Sequence, residues 1–382
     1  MLSCWKILSI LAYRLRLYAL LHRHVNKKHG EDLVRKRLST FIAACFYYSG
    51  LVKLARWWAG HSRRHLIILN YHLATGGDLR RHLLYLSRHY RILHLETALE
   101  ELYMPCKNEK RLHDRRTPLA LTFDDGYHDN YTHGFALACE MQIPFTIFLI
   151  PGYIESGDFF WWREGNRLAT HAQVREATID GRIYHLDQLE ERNMLAQTIL
   201  ARLCQASSVA EREKFLASSR KILAVPPSVP SEEKPALPLS WTEVREMDES
   251  GWVSFGAHTM YHPILAYLAD PTEAQDEVKQ SRITLEHQLG HPVRTFAYPI
   301  GQLQHIGENA IRAVPQAGYD WALTTINGFN TPKSDPYLLR RVEVDVDQHW
   351  LVLAAEAAGL WGLFSRLRWM LTMRKGFYKG NE

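Results

Sequence analysis

From residue 66 to about 345 the chain alternates short apolar runs with longer stretches of helical spacing. The runs LIILNYH (66–72), RILHL (91–95), PLALTF (118–123), PFTIFLIP (144–151), WVSFGAH (252–258), RTFAYP (294–299), WALTT (321–325) and VEVDV (342–346) read as strands. Between them, Asp78 caps a segment with Leu79, Leu83, Leu86 and Tyr90 at helical spacing, and further helices are predicted over 96–103, 130–141, 272–289 and 305–317. Ser240 with Glu243 three residues later has the spacing of a capping box, and Gly251 closes that helix. Alternating strands and helices over this span predict an α/β fold, either a barrel or a doubly wound sheet.

Three stretches depart from the pattern. Residues 155–238 are charged and helix-prone, carry one strand-like piece at Arg182–His185, and end in the proline-rich joint VPPSVPSEEKPALP. They are expected to form a helical insertion, either a lid or substrate-side wall, or a surface decoration. Residues 346–382 form a helical tail; Glu356 within HWLVLAAEAAGLWGLF (349–364) favours a last helix of the domain over a membrane span. Residues 1–64 form a basic helical N-terminal region. Its run ILSILAY (7–13) is followed by Arg14 and Arg16 and lacks a small-residue cleavage pattern, a poor secretory signal. The uncharged LSTFIAACFYYSGLV (38–52) is shorter than a spanning helix needs. Basic residues mixed with Trp, Leu and Tyr suit a helix on an anionic membrane face. An appendage packed on the main domain explains the same pattern, and both readings stand. The expected location is cytoplasmic, with peripheral contact at the inner membrane face through residues 1–60.

Composition adds three points. With 46% hydrophobic and 23% charged residues among 382, the chain has ample core for a globular protein. The net charge of +5 is local, since residues 1–40 hold nine Lys and Arg against Glu31 and Asp32. The remainder is near neutral, which argues against a nucleic-acid partner. Cys4, Cys45, Cys106, Cys139 and Cys204 are scattered, odd in number and without a CxxC pair, so neither a disulfide framework nor a cysteine metal site is expected.

Candidate chemistry sits at three strand ends: Asp124-Asp125 before Gly126, HTMYHP (258–263) and RTFAYPIG (294–301). Adjacent like charges are unfavourable unless a cation or a shared proton compensates. His258 and His262 are four apart, so one helical turn ending before Pro263 would place both imidazoles on one face. Two neutral imidazoles and one carboxylate leave a divalent ion with open positions. Such an ion offsets one acid and leaves the other free as a base. Alone, a paired acid is usually a solvated turn and a spaced histidine pair is usually surface or core. Their joint placement at successive strand ends carries the reading.

These stretches resemble the NodB-type polysaccharide deacetylases, carbohydrate esterase family four. TFDDG (122–126) is similar to the family's first motif, HTMYHP to its second and RTFAYPIG to its third. The similarity extends to YH (71–72), PFTIFLIPGYI (144–154), LSWTEVREM (239–247) and RRVEV (340–344), so it covers about residues 65–345 around the insertion. The resemblance implies a distorted (β/α) barrel, usually of seven strands, with a divalent metal at its C-terminal mouth. Asp125, His258 and His262 would bind the metal, most simply Zn2+, with Co2+, Ni2+ and Mn2+ open. Asp124 would be the general base, Arg294 would pair with and orient it, and the backbone N–H of Tyr298 would help hold the oxyanion. Thr259 either fixes the loop by a hydrogen bond or is a helix-start hydroxyl.

The chain departs from the family at its final motif, which usually carries a proton-donating histidine after a leucine. YLLRRVEVDV (337–346) has Arg340 and Arg341 there, and arginine is a poor proton donor. His128, His305, His349 or protonated Asp124 remain as substitutes. Asp320-Trp321 resembles the fourth motif's acid–tryptophan pair, and a strand-start turn explains it equally well. The implied activity is metal-dependent removal of acetyl groups from an N-acetylated sugar of a polysaccharide, oligosaccharide or lipid-linked glycan, in cell-surface polysaccharide biosynthesis. The missing histidine leaves open a catalytically impaired carbohydrate-binding or scaffold protein, and an amidohydrolase on a non-sugar amide is the third reading. The aromatic run DFFWWRE (158–164) suits sugar stacking or cementing of the insertion.

Overall fold

A computed structural model of the chain describes residues 29–61, 65–104, 114, 116–226 and 231–360. The apolar run at 7–13, most of the stretch between the helix predicted over 96–103 and PLALTF, and positions 361–364 of the tail lie outside the described residues. In chain order the strands are β1 (Ile67–Tyr71), β2 (Arg91–Ile92), β3 (Pro118–Phe123), β4 (Phe145–Leu149), β5 (Glu176–Ile179), β6 (Arg182–His185), β7 (Val253–Ala257), β8 (Thr295–Ala297), β9 (Trp321–Asn327) and β10 (Leu339–Glu343). The helices are α1 (His29–Tyr48), α2 (Leu51–His61), α3 (Leu79–His89), α4 (Leu95–Tyr103), α5 (Ala136–Met141), α6 (Pro151–Ser156), α7 (Trp161–His171), α8 (Leu189–Cys204), α9 (Val209–Ile222), α10 (Trp241–Glu249), α11 (Pro271–Leu289), α12 (Leu303–Gln316) and α13 (Trp350–Ala357).

Seven strands close into a parallel barrel in the order β1-β10-β9-β8-β7-β4-β3, and β3 pairs back onto β1 from Ile67↔Leu119 to Tyr71↔Phe123. β2 adds two residues outside β3. The fold is therefore the seven-stranded (β/α) barrel that the sequence resemblance implies. The segment 130–141 opens as a π-helical turn at Asn130–Phe135 before α5, and β10 begins three residues before the apolar alternation of VEVDV.

Alternation along the strands sorts the inner face into layers. Ile68, Ala120, Phe148, Ala297, Leu323 and Leu339 belong to one buried apolar cluster, which includes Leu95, Ala98, Leu99 and Leu102 of α4. A Cβ on Gly256 would lie 2.4 Å from the Phe148 ring, so glycine in β7 gives that ring its space. Two residues further along their strands, Asn70, Thr122 and Arg341 hydrogen-bond one another and make the next layer polar.

Asp158–Lys234 and Tyr267–Ala269 belong to a second compact unit. Here α7, α8 and α9 are joined by an antiparallel hairpin, β5–β6, whose two-residue turn Asp180-Gly181 has φ of 50° and 75°. Trp161, Leu168, Tyr184, Ile199, Leu203 and Leu216 are buried in it. Glu164 is buried between Arg167 (2.7 Å) and Arg220 (3.0 Å). The aromatic run at 158–164 is cement: Phe159, Phe160 and Trp161 are buried, and Trp162 stacks on Phe160.

The apolar tail supplies α13, with Leu351, Val352, Leu353, Ala354, Ala355 and Ala357 buried. Ala43 of α1 packs against Leu351, Val352 and Ala355. Glu356 brings a carboxyl into this apolar setting, and its Oε2 is buried without a hydrogen-bond partner. Burial pushes its pKa up from 4.5 to about 8, partly opposed by a hydrogen bond from Gln348 and reinforced by Asp345 and Glu343. The folded chain thus holds a proton that the unfolded chain releases above about pH 4.5. Stability from this group is full below that value and is lost as pH rises toward about 8. Glu356→Gln is expected to stabilise the protein by roughly 2 kcal/mol or more at pH 8 and to change little at pH 4. Thermal denaturation at the two pH values checks this.

Candidate active site

Asp124 is the first residue past β3. Continuing the inward parity of Ala120 and Thr122, it meets the polar layer. Arg341 donates to both of its oxygens, Nη1 to Oδ1 at 2.7 Å and Nη2 to Oδ2 at 2.8 Å, and Asn70 Nδ2 donates to Oδ2 at 3.1 Å. Arg341 is itself held by the Thr324 carbonyl (2.9 Å) and Asn70 Oδ1 (2.8 Å). Burial pushes the Asp124 carboxyl up, but the charges of Arg341 and His258, the hydrogen bonds from Arg341, and the charge of His72 outweigh it and hold the group well below the usual carboxylate range. The result is a buried, ionised acid in a fixed bidentate grip.

Arg294 does not take this part. It immediately precedes β8, and residues before and after a parallel strand lie at opposite mouths of the barrel, here about 10–13 Å apart. Arg294 bonds Asp320 (2.6 Å), Glu100 (2.6 Å) and Glu96 (3.4 Å), and lies over the Trp321 ring. Asp320 and Trp321 are thereby explained as the start of β9 beside Arg294. The Tyr298 expectation also changes. Its backbone N–H donates to the Leu323 carbonyl at 3.0 Å, continuing the β8–β9 ladder, so this donor is already engaged, and its phenol donates to the Tyr337 carbonyl.

Strict alternation would turn Asp125 away from Asp124. Instead Asp125 and Gly126 adopt φ of 74° and 71°, and the chain folds back at the strand tip. His258 follows β7 directly. Its Nδ1 lies 2.7 Å from the Ala297 carbonyl, which only accepts, so Nδ1 carries the proton and Nε2 keeps its lone pair. That Nε2 lies 3.6 Å from Asp125 Oδ1, and His262 Nε2 lies 3.7 Å from the same oxygen. The three buried donor atoms all fall within 4.8 Å of one another.

The four-residue histidine spacing is realised by a loop, not by a helical turn: Thr259 and His262 have φ of 65° and 54°. Thr259 Oγ1 accepts from the His262 N–H at 2.9 Å, fixing the loop. Glu277 of α11 accepts from the N–H groups of Met260 (2.9 Å) and Tyr261 (2.8 Å), and Gly152 donates to the Met260 carbonyl. A Cβ on Gly152 would lie 2.3 Å from the Tyr261 ring. One carboxylate oxygen and two imidazole nitrogens, buried and convergent, fit a divalent ion with open coordination positions.

Among the proton donors left open, His128 pairs with Glu243 (2.9 Å), and His349 accepts from Leu351 N–H at the start of α13. Burial lowers His305 on α12 to about 4. His72 is the residue that the sequence reading passed over. It follows β1, and the register Tyr71↔Phe123 sets it beside Asp124, on which its charge acts. The dipeptide at 71–72 was the available signal; neighbouring strand tips give it meaning.

Among solved structures, the chain resembles the Streptococcus pyogenes deacetylase PplD in complex with acetate, at 18% identity over 78% of this chain and 99% of that one, with a TM-score of 0.49. IcaB from Ammonifex degensii is 19% identical over 78% and 98%, with a TM-score of 0.49. The BpsB deacetylase domain from Bordetella bronchiseptica is 16% identical over 74% and 96%, with a TM-score of 0.46. A search of curated proteins finds no match. The family profile described as polysaccharide deacetylase matches residues 112–322, more than half of the chain and inclusive of Asp124, Asp125, His258 and His262. The chain belongs to the polysaccharide deacetylase family.

Proposed function

We propose that the protein is a metal-dependent hydrolase that removes the acetyl group from an N-acetylated sugar. The observation that carries this reading is the pairing of a buried Asp/His/His donor set with a separate acid, Asp124, in the grip of Arg341 at the same barrel mouth. A divalent ion held by Asp125, His258 and His262, with zinc the natural choice for these donors, would supply Lewis acidity toward an acetamide carbonyl and water. Asp124, kept ionised and oriented by Arg341, accepts a proton from the attacking water. His72 gives a proton to the departing amine, the role that the final motif leaves vacant. Asn70 holds both Asp124 and Arg341, so the base keeps its direction as the proton moves.

The substrate class we favour is a glycan or lipid-linked precursor in cell-surface polysaccharide assembly at the inner membrane face, which the basic first 64 residues suit. Acetate release is expected from N-acetylglucosamine oligomers or acetylated lipid-linked saccharides, lost on chelation and restored by Zn2+ or Co2+. Absence of release from every such substrate after metal restoration would sink this reading and leave the scaffold or an amidohydrolase on a non-sugar amide. In the same assay, His72→Gln is expected to lower kcat/KM on the amide by about 10²–10⁴-fold while an activated aryl acetate changes only a few-fold. Aryl oxide leaves without a proton, so equal losses on both substrates would move the acid role elsewhere.

A further inference from the structure

The helices α1 and α2 present an apolar face to solvent. Leu38, Phe41 and Tyr48 follow one stripe of α1, with exposed Cys45 between the last two, and Leu54, Trp57 and Trp58 are exposed on α2. Leu38, Phe41, Tyr48, Leu54, Trp57 and Trp58 are each 57–77% exposed. Clustered exposed side chains of this size mark an interaction surface. The opposite face of α1 is occupied, since Ala43 packs on α13.

Charge selects the occupant. Between residues 29 and 77 the chain has seven Lys and Arg against Glu31 and Asp32. Arg37 and Lys53 are exposed beside the apolar stripe. Positions 1–28 add six Lys and Arg without an acid, and 361–382 add five against Glu382. These two stretches carry the same sign of charge as the α1 and α2 region. Aromatic side chains among aliphatic and cationic ones are the composition of an interfacial membrane contact.

Length selects the mode. No single described helix is long and apolar enough to cross a membrane; Lys36–Tyr48 and Leu51–Ala59 pass that test only as a pair bent by 68°. At 1.5 Å per residue they reach about 20 and 14 Å, short of a hydrocarbon core of about 30 Å. Because Ala43 keeps α1 on the barrel domain, the pair suits lying in the plane of one leaflet.

We infer that α1 and α2 dock the protein onto an anionic lipid bilayer, with Leu38, Phe41, Tyr48 and Leu54 in the interface and Arg37 and Lys53 at the headgroups. The test is co-sedimentation of the full chain with phosphatidylcholine vesicles, with or without about 30% phosphatidylglycerol. The wild type should favour anionic vesicles at least about tenfold and lose that preference in high salt. Phe41→Glu with Leu54→Glu should lower partition about tenfold or more. Arg37→Glu with Lys53→Glu should lower it on anionic vesicles only. Leu189→Glu, at an equally exposed apolar site of the other unit, should leave partition unchanged. Circular dichroism of each variant should match the wild type. Failure of the wild type to bind anionic vesicles would overturn the inference, as would unchanged binding by both double variants. A lipid-independent dimer, seen by sedimentation velocity and abolished by the apolar variant, would assign the face to a second copy instead.

Discussion

Asp124→Asn is expected to lower acetate release by about 10²–10⁴-fold and to destabilise the fold by about 3 kcal/mol. The two effects have separate causes. Asparagine keeps the shape of the side chain but cannot take a proton from water at neutral pH, so the rate falls. It also strips the counter-charge from Arg341, whose guanidinium is buried. The Thr324 carbonyl and Asn70 Oδ1 continue to accept from Arg341, which softens the loss without supplying a negative charge. A companion variant separates the causes: Asp124→Leu with Arg341→Met removes the pair together and should recover much of the stability, because buried ion pairs often give way to apolar side chains at little net loss. It should recover no activity. Urea midpoints and acetate release on both variants check this; wild-type rates in Asp124→Asn would remove Asp124 from the mechanism.

Most of the barrel was legible because its strands are buried on both faces and read as unbroken apolar runs. PLALTF became β3 residue for residue, and the FTIFL within PFTIFLIP became β4. β10 was misplaced for a definite reason: Arg340-Arg341 looks like solvated chain, whereas Arg341 is an inward strand position whose charge is balanced by an acid far away in sequence. The same nonlocal pairing misled the orienting role. An arginine just before β8 and one within β10 are equivalent as letters, and only the strand direction separates the mouth with Asp124 from the mouth with Glu100. The Asp125, His258 and His262 cluster was visible because all three follow strand ends. Its loop geometry was hidden, since positive φ at Asp125, Thr259 and His262 is set by surrounding contacts, not by residue type. Glu277 and Gly152 escaped notice because their work is on the backbone of the 259–262 loop.

Asp125→Asn is expected to weaken divalent metal binding by more than the 10–100-fold typical of outer-sphere changes. Asparagine is the informative replacement because the backbone at 125 has φ of 74°, a region that Asn tolerates and Ala does not. The substitution removes the carboxylate charge between two neutral imidazoles and leaves the turn intact. A ligand at 1,000 times its dissociation constant stabilises the folded state by about 4 kcal/mol, and a 100-fold weaker site retains only about 1.4 kcal/mol of this. Zn2+ should therefore raise the melting temperature of the wild type clearly and of Asp125→Asn little, while the two apo forms melt alike. This readout needs no substrate, so it tests the site apart from the reaction. Should Zn2+ stabilise both forms equally, the ion binds elsewhere, and the Asp125, His258 and His262 cluster would be a structural contact between a buried acid and two imidazoles. Should only the wild type respond while acetate release stays absent, the metal site stands and the sugar amide is the wrong substrate.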